Sequence, residues 1–143
     1  MKCVIQRVRH ASVSIEGEVI SRIEAGLLIL AGVEKGDAEH RMIEVARKIR
    51  ELRIFADDAG KMNRDVAEAG GSILAVSQFT LAGSVDRGRR PGFDRAEEPE
   101  RAREMFELFV RELGSTGIPV ATGRFREHMI VALENDGPVT FVL

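Results

Sequence analysis

The fold is decided by the stretch Gly26-Leu27-Leu28-Ile29-Leu30-Ala31-Gly32, in which five consecutive apolar residues lie between two glycines. A second apolar run is Ile73-Leu74-Ala75-Val76. Runs of this length, bounded by glycine or polar residues, are typical of buried strands. They are much shorter than the roughly 18 apolar residues that a membrane-spanning helix requires. The sequence therefore predicts central strands at Leu27–Val33 and Ser72–Val76.

Further strands are predicted on both sides of this centre. Residues 3–15 are rich in β-branched side chains, and the turn Glu16-Gly17-Glu18 leads into a strand at Val19–Ile23. Asp57–Gly60 is predicted to be another turn. The remaining predicted strands are Val120–Thr122, Met129–Glu134 and Val139–Leu143, with Asn135–Pro138 as the break between the last two.

Two helices are predicted from apolar residues that recur every three or four positions. The first runs from Ala38 to Leu52 with Asp37 as its N-cap. The second runs from Pro99, which suits a first helical position, to Leu113, with Gly114 as a stop signal. We therefore expect one α/β domain over residues 1–143, with a curled, barrel-like sheet and two main helices packed on it.

Composition excludes several classes of protein. The chain has 143 residues, of which 44% are hydrophobic and 31% charged, with a mean hydropathy of -0.08. Its one cysteine, Cys3, permits neither an intramolecular disulfide nor a cysteine-rich zinc site, and in an apolar strand it is expected to be a small core residue. Residues 1–7 lack the features of a signal peptide. We expect a cytoplasmic protein without metal or cofactor, and neither a membrane protein nor a disordered chain.

Positive charge is concentrated in one loop. Lysine and arginine total 21 against 23 acidic residues, so the formal net charge is -2, whereas proteins that wrap long nucleic acids are usually basic. Arg87, Arg89 and Arg90 nevertheless fall within four residues of a loop that contains glycine and proline. This cluster is either a solvated loop or a contact for phosphate groups.

Two polar segments are candidates for chemistry. Ser77-Gln78-Phe79-Thr80 follows a predicted buried strand, and the ends of such strands often carry ligand groups. Hydroxyl, amide and backbone N–H groups suit the polarisation of a carbonyl better than the removal of a proton. The alternative is a simple strand end with Gln78 in solvent. Gly137-Pro138 is either an ordinary turn or, if its peptide bond is cis, a turn that presents two carbonyls side by side.

Together these segments resemble the D-aminoacyl-tRNA deacylase (D-tyrosyl-tRNA deacylase) family over nearly the whole chain. The resemblance is most specific in Ser77–Leu81 and in Asn135–Thr140, at opposite ends of the chain. Other matching segments are Gln6–Val8 with Ala11–Val13, Gly26–Leu28 with Gly32–Val33, Arg53–Phe55 with Gly60–Asn63, Gly88–Phe93, and Thr122-Gly123-x-Phe125 with Met129.

The resemblance implies a homodimeric enzyme that hydrolyses the ester between a D-amino acid and the terminal adenosine of tRNA. Ser77, Gln78, Phe79 and Thr80 match the segment that lines the site of hydrolysis. Gly137-Pro138 matches a Gly-cisPro motif that each subunit inserts into its partner's site to exclude L-amino acids, and Arg7 matches the arginine that holds this motif. Met129 matches a substrate-binding position.

The expected partner is therefore the acceptor end of tRNA carrying a D-amino acid or glycine, including tRNA-Ala mischarged with glycine, and neither DNA nor a membrane. Arg87, Arg89 and Arg90 become candidate tRNA contacts. One departure is Arg126-Glu127-His128, where the family commonly has small residues after Phe125. Three other interpretations stay open: a non-catalytic module that binds the tRNA end, a related editing domain with another stereochemical preference, and an esterase for simple D-amino acid esters.

Overall fold

The computed structural model describes residues 1–86 and 88–143, and its sheet is built on the two apolar runs. The strands are β1 (Lys2–Ile15), β2 (Glu18–Ile23), β3 (Gly26–Gly32), β4 (Phe55–Ala56), β5 (Met62–Arg64), β6 (Ser72–Ser77), β7 (Val120–Thr122) and β8 (Ile130–Val142). The helices are α1 (Glu39–Arg50) and α2 (Pro99–Gly114), and a 3₁₀ turn (Phe79–Ala82) follows β6.

The main sheet is mixed and strongly curled. Its strand order is β2-β1-β3-β6-β7, with β8 paired to β1 off this path. β1 is antiparallel to β2, β3 and β8, whereas the pairs β3–β6 and β6–β7 are parallel. β2 also contacts β6 and β7, so the sheet is nearly closed into a barrel. The predicted fold class is confirmed.

The apolar residues form two clusters on opposite faces of the sheet. The larger cluster lies between the sheet and the helices, where Met42 and Ile49 of α1 meet Phe109 and Leu113 of α2. All four side chains are fully buried, and burial of each contributes roughly 1.5–3 kcal/mol. The smaller cluster fills the inside of the curl with residues of β1, β3 and β6. The helical spacing in the sequence thus marks the faces that pack.

The predicted N-cap of α1 is wrong. The N-cap position is Ala38, and no side chain caps this helix end. Asp37 instead accepts a hydrogen bond from the Glu34 N–H (2.8 Å) and pairs with the Met1 ammonium (2.5 Å). Its carboxylate is therefore engaged by groups outside the helix, which the local sequence does not reveal.

The predicted break between the last two strands is also wrong, because β8 is one strand. Its ladder with β1 joins Val8 to Asn135 and resumes where Gln6 pairs with Thr140. Residues 136–139 bulge out between these two pairs. The short antiparallel pair β4–β5, which encloses the predicted Asp57–Gly60 turn, was too short to be recognised from an alternating pattern.

Candidate functional site

A cavity of about 460 Å³ opens where β6 ends. Its walls come from the ends of β3 and β6, the first turns of α2, and the segment between β7 and β8. Cavities of roughly 300–1,000 Å³ with apolar walls and a few polar groups are typical of small-molecule sites. The lining residues include Ser77, Gln78, Phe79, Phe106, Phe125 and Met129.

The polar segment after β6 forms one rim of this cavity. The Gln78 N–H donates to the Ala31 carbonyl (2.7 Å), so the chain leaves the sheet at a fixed point. The Gln78 side-chain Nε2 donates to Thr80 Oγ1. Among the described residues, nothing accepts a hydrogen bond from the backbone N–H of Phe79 or of Thr80. Ser77, Gln78 and Phe79 line the cavity, whereas Thr80 stands beside it.

Met129 forms part of the opposite wall because a glycine leaves room for it. A Cβ placed on Gly123 would lie 2.5 Å from Met129 Sδ, which no real contact permits. The Gly123 N–H donates to the Ala75 carbonyl of β6 (3.3 Å), which ties this wall to the sheet. The predicted substrate-binding residue Met129 therefore does reach the cavity.

The residues that depart from the family pattern also line the cavity. Arg126, Glu127 and His128 all contribute to its wall, and Arg126 has a left-handed backbone (φ 66°). Non-glycine residues adopt this conformation rarely, whereas glycine adopts it readily. Arg103 lies over the Phe125 ring at 5.2 Å, a cation–π contact that fixes the neighbouring aromatic wall.

Arg7 holds the Gly137-Pro138 segment from the side of β1. Its Nε donates to the Asp136 carbonyl (3.0 Å) and lies 3.3 Å from Asp136 Oδ2, and its Nη1 donates to the Ile54 carbonyl (2.5 Å). The Arg7 side chain is only 13% exposed. The Gly137–Pro138 peptide bond is cis. The structure therefore places Arg7 against this segment, as the resemblance implies.

Asn135 closes the other side of the same bulge, and the sequence reasoning missed it. Its Oδ1 accepts the Val139 N–H (2.7 Å), and its Nδ2 donates to Thr140 Oγ1 (2.9 Å). The available signal was the Asn-Asp-Gly string, because asparagine side chains often replace a backbone partner in turns. Of the described residues that line the cavity, none belongs to segment 135–140. One chain thus does not bring its own Gly137-Pro138 to its Ser77–Phe79 rim.

The arginine loop leads into Phe93, whose ring centroid lies 5.1 Å from that of Phe79 on the cavity rim. Ser84 and Gly92 exchange two backbone hydrogen bonds of 2.8 Å, and this closes a hairpin that carries Arg89 and Arg90 in exposed positions. Arg87, the third predicted tRNA contact, lies outside the described residues.

Within residues 1–86 and 88–143, no group of three histidine, cysteine, aspartate or glutamate side chains is placed to hold a metal ion. None of the helices described there combines the length and the apolar character that a membrane span requires. Burial raises the pKa of the Cys3 thiol to about 12, so this group is an un-ionised core residue at neutral pH, as predicted.

A family model described as D-Tyr-tRNA(Tyr) deacylase matches residues 4–143. The chain belongs to this family. Among its relatives is a D-aminoacyl-tRNA deacylase of Geobacter metallireducens, 56% identical over 143 residues, which cover all of this chain and 95% of that protein. A D-aminoacyl-tRNA deacylase of Pelobacter propionicus is 54% identical over the whole chain and 99% of its own length. The predicted family is confirmed.

Two solved structures share the family fold. The c-Myc DNA Unwinding Element Binding Protein superposes with a TM-score of 0.95 at 40% identity, covering 100% of this chain and 97% of that one. A probable eukaryotic D-amino acid tRNA deacylase superposes with a TM-score of 0.83 at 15% identity, covering 99% and 97% of the two chains. The second likeness concerns the fold alone.

Proposed function

We propose that this chain, a D-aminoacyl-tRNA deacylase by family, selects D-amino acids by excluding L-amino acids with the Gly137-Pro138 segment. The enzyme is a hydrolase of the ester bond of aminoacyl-tRNA, and the whole chain, residues 1–143, acts as one deacylase domain. The observation that best supports ester hydrolysis by this chain is the polar Ser77–Phe79 rim on an apolar cavity of about 460 Å³. A terminal adenosine with its esterified amino acid is of the size that such a cavity takes.

Hydrolysis at this rim depends on backbone N–H groups. Water attacks the ester carbonyl, whose oxygen becomes negatively charged in the transition state, and oriented donors then stabilise that charge. The N–H groups of Phe79 and Thr80, which donate to no described residue, supply such donors beside the cavity. Gln78 holds the Thr80 hydroxyl through its own amide, so Gln78 and Thr80 keep the turn in shape. In this proposal the vicinal ribose hydroxyl of the substrate assists the attack.

In this proposal chiral selection depends on the backbone carbonyls of the Gly137-Pro138 segment, which are held in a fixed position. Arg7 fixes the Asp136 carbonyl, and Asn135 fixes the Val139 N–H, so the bulge between them is held at both ends. A rigid carbonyl group at the point where the Cβ of an L-amino acid would lie excludes that enantiomer. A D-amino acid directs hydrogen toward this obstacle and fits. No pocket shaped for one particular side chain is then needed.

The obstacle comes from a second copy of the chain in this proposal, because each chain's own Gly137-Pro138 lies outside its cavity. Support comes from β8, which in the described part of the chain pairs only with β1 and exposes Ile130, Phe141 and Val142. An apolar edge strand is prone to pair with another chain. A homodimer with a two-fold axis covers both copies of β8 and completes both cavities.

The partner proposed for this dimer is the acceptor end of tRNA in the cytoplasm, and neither DNA nor a membrane. Arg89 and Arg90 are exposed for contact with its phosphates, and Arg87 is included from its place in the sequence. The net charge of -2 fits a protein that grips one end of an RNA. A duplex DNA competitor tests the last point: it should not slow the hydrolysis of D-aminoacyl-tRNA at equal nucleotide concentration.

Glycine tests the mechanism of selection, because glycine has no Cβ to meet the obstacle. We expect the enzyme to hydrolyse D-alanyl-tRNA and, at higher enzyme concentration, glycyl-tRNA, including glycine on tRNA-Ala. L-alanyl-tRNA should be spared. The measurement is an enzyme titration against the three esters on one tRNA, with the remaining ester counted after a fixed time. Resistance of glycyl-tRNA at every concentration would favour recognition of the D side chain itself and would contradict exclusion.

A further inference from the structure

Two phenylalanine rings lie exposed beside the cavity. Phe79 is 59% exposed although it lines the cavity, and Phe93 is 37% exposed. Their ring centroids are 5.1 Å apart and the rings are tilted by 57°. Adjacent exposed apolar side chains form the kind of surface patch that often marks a binding site.

The chain is shaped to bring these rings together. Gly83 lies against the Phe93 ring: a Cβ placed on it would come within 3.0 Å of that ring and 2.9 Å of the Thr80 carbonyl. The Ser84–Gly92 bridge closes the hairpin and sets Phe93 directly after it. Two backbone features, the space left by Gly83 and the Ser84–Gly92 bridge, therefore position the Phe93 ring beside Phe79.

The charge of the same hairpin indicates what the ligand is. Segment 84–95 carries four arginines and two aspartates, in a chain whose net charge is -2. Arg89 and Arg90 are exposed and make no ion pair within the described residues. Aromatic rings next to unpaired cations are the usual elements of a site for single-stranded nucleic acid.

We propose that the Phe79–Phe93 pair is a stacking platform for a nucleobase of the single-stranded acceptor end, adjacent to the terminal nucleotide held in the cavity. The proposal rests on the proposed function. Arg89 and Arg90 meet the phosphates that flank this base, and Phe79, which belongs to both the cavity and the platform, joins the two. The platform reads no particular base, since every base offers a face to stack.

The test compares substrates that do and do not reach the platform. Phe93→Leu removes the aromatic face and keeps an apolar side chain, and Phe93→Tyr keeps the face. Val85→Ala is the matched control, because Val85 is an exposed apolar residue (77%) of the same hairpin outside the ring pair. Each variant is assayed for kcat/KM on D-aminoacyl-tRNA, on an aminoacylated CCA trinucleotide and on D-aminoacyl adenosine.

Phe93→Leu should lower kcat/KM by about 5- to 150-fold on the tRNA and on the trinucleotide, the factor that corresponds to the free energy of one base stacked on an aromatic ring. It should leave D-aminoacyl adenosine unaffected, and Phe93→Tyr and Val85→Ala should match the parent on all three. An equal loss on D-aminoacyl adenosine would overturn the proposal, since the ring would then shape the cavity. So would an unchanged rate on the tRNA.

Two further measurements separate this proposal from its premises. Binding of the uncharged CCA trinucleotide, measured by calorimetry, should weaken by the same factor in Phe93→Leu. This affinity does not depend on the proposed mechanism of hydrolysis. An unchanged affinity for the trinucleotide in Phe93→Leu would contradict the stacking platform. Sedimentation of Phe93→Leu should match the parent, because dissociation into monomers would show that a second copy covers the ring instead of a base.

Discussion

Thr80 carries a hydroxyl at the edge of the cavity, and its neighbours determine whether that hydroxyl can act as a nucleophile. Its Oγ1 accepts a hydrogen bond from Gln78 Nε2 and does not line the cavity. A nucleophilic hydroxyl needs a base within hydrogen-bond reach. Among the described residues Thr80 Oγ1 bonds only to the Gln78 amide, which is not a base, so we infer that Thr80 shapes the turn.

We predict that Thr80→Ala lowers kcat/KM on D-aminoacyl-tRNA by less than about tenfold. A single neutral hydrogen bond contributes about 0.5–1.5 kcal/mol, and the substitution leaves both backbone N–H groups of the rim in place. The comparison is with Thr80→Val, which keeps the shape of the side chain. A loss of several thousandfold, together with an acyl-enzyme trapped on the parent by mass spectrometry, would make Thr80 the nucleophile.

Single residues were predictable where a motif covers them and not where a contact is long-range. Arg7, Gln78 and Met129 were predicted because their segments match a family pattern, and the structure places Gln78 and Met129 on the cavity and Arg7 against Asp136. Asn135 stands in one of those segments, but its clamp on the Val139 N–H depends on the path of the bulge. Asp37 was predicted to cap α1, but it pairs with the Met1 ammonium, which is 36 residues away in the sequence.

Among the single elements, the turn of the β4–β5 hairpin is held together by one carboxylate, that of Asp57. Asp57 accepts hydrogen bonds from the Asn63 side chain (2.7 Å) and from the backbone N–H groups of Lys61 and Ala59 (2.9 Å each). These donors, with the Asn63 amide first, hold the pKa of the Asp57 carboxyl below its usual value of 3.8. The ionised form is thus the one that the turn stabilises.

A pH dependence of this hairpin follows from that shift. A lowered folded-state pKa gives stability that is present above the unfolded pKa and is lost as the pH falls through the folded pKa. We predict that Asp57→Asn reduces the protection of the Lys61 amide at neutral pH and that this difference from the parent fades in acid below pH 3.8. Hydrogen exchange followed by NMR measures it. Asp58→Asn, in the same turn, should keep the parent's pH response; a difference that does not change with pH would assign the effect to packing.

Helices and strands were predicted well where a single residue pattern continues along their whole length. The helix predicted from Pro99 to Leu113 runs from Pro99 to Gly114, because its apolar stripe continues through the last turn. β8 was predicted as two strands since Gly137 and Pro138 usually end a strand. Pairing with β1 on both sides of the bulge overrides that local preference, and no local pattern reports it.

At the scale of the whole molecule, the barrel-like α/β fold was predictable and the cavity was not. The apolar runs of β3 and β6 fix the centre of the sheet, and two amphipathic stripes fix the helices. The cavity, however, is enclosed by residues as far apart as Ala31, Ser77, Phe106 and Met129. The cavity forms where β3, β6 and α2 pack together, so its depth and volume could not be predicted from the sequence.

The exposed edge of β8 makes a prediction about assembly. Val142 is 73% exposed on this strand, and Val19 is 63% exposed on β2, at one end of the strand order. If β8 is the dimer interface, a charge at Val142 is buried against the apolar surface of the partner. A charge at Val19 meets only solvent.

We therefore predict that Val142→Lys sediments as a monomer and loses hydrolysis of D-aminoacyl-tRNA, because neither cavity then receives a Gly137-Pro138 segment. Val19→Lys should stay dimeric and active, which controls for the added charge. Dilution of the parent below its dimer dissociation constant should remove turnover per chain in step with the appearance of monomer. Full activity of a monomer, reached by either route, would show that one chain completes its own site and would remove the partner's carbonyls from the mechanism of selection.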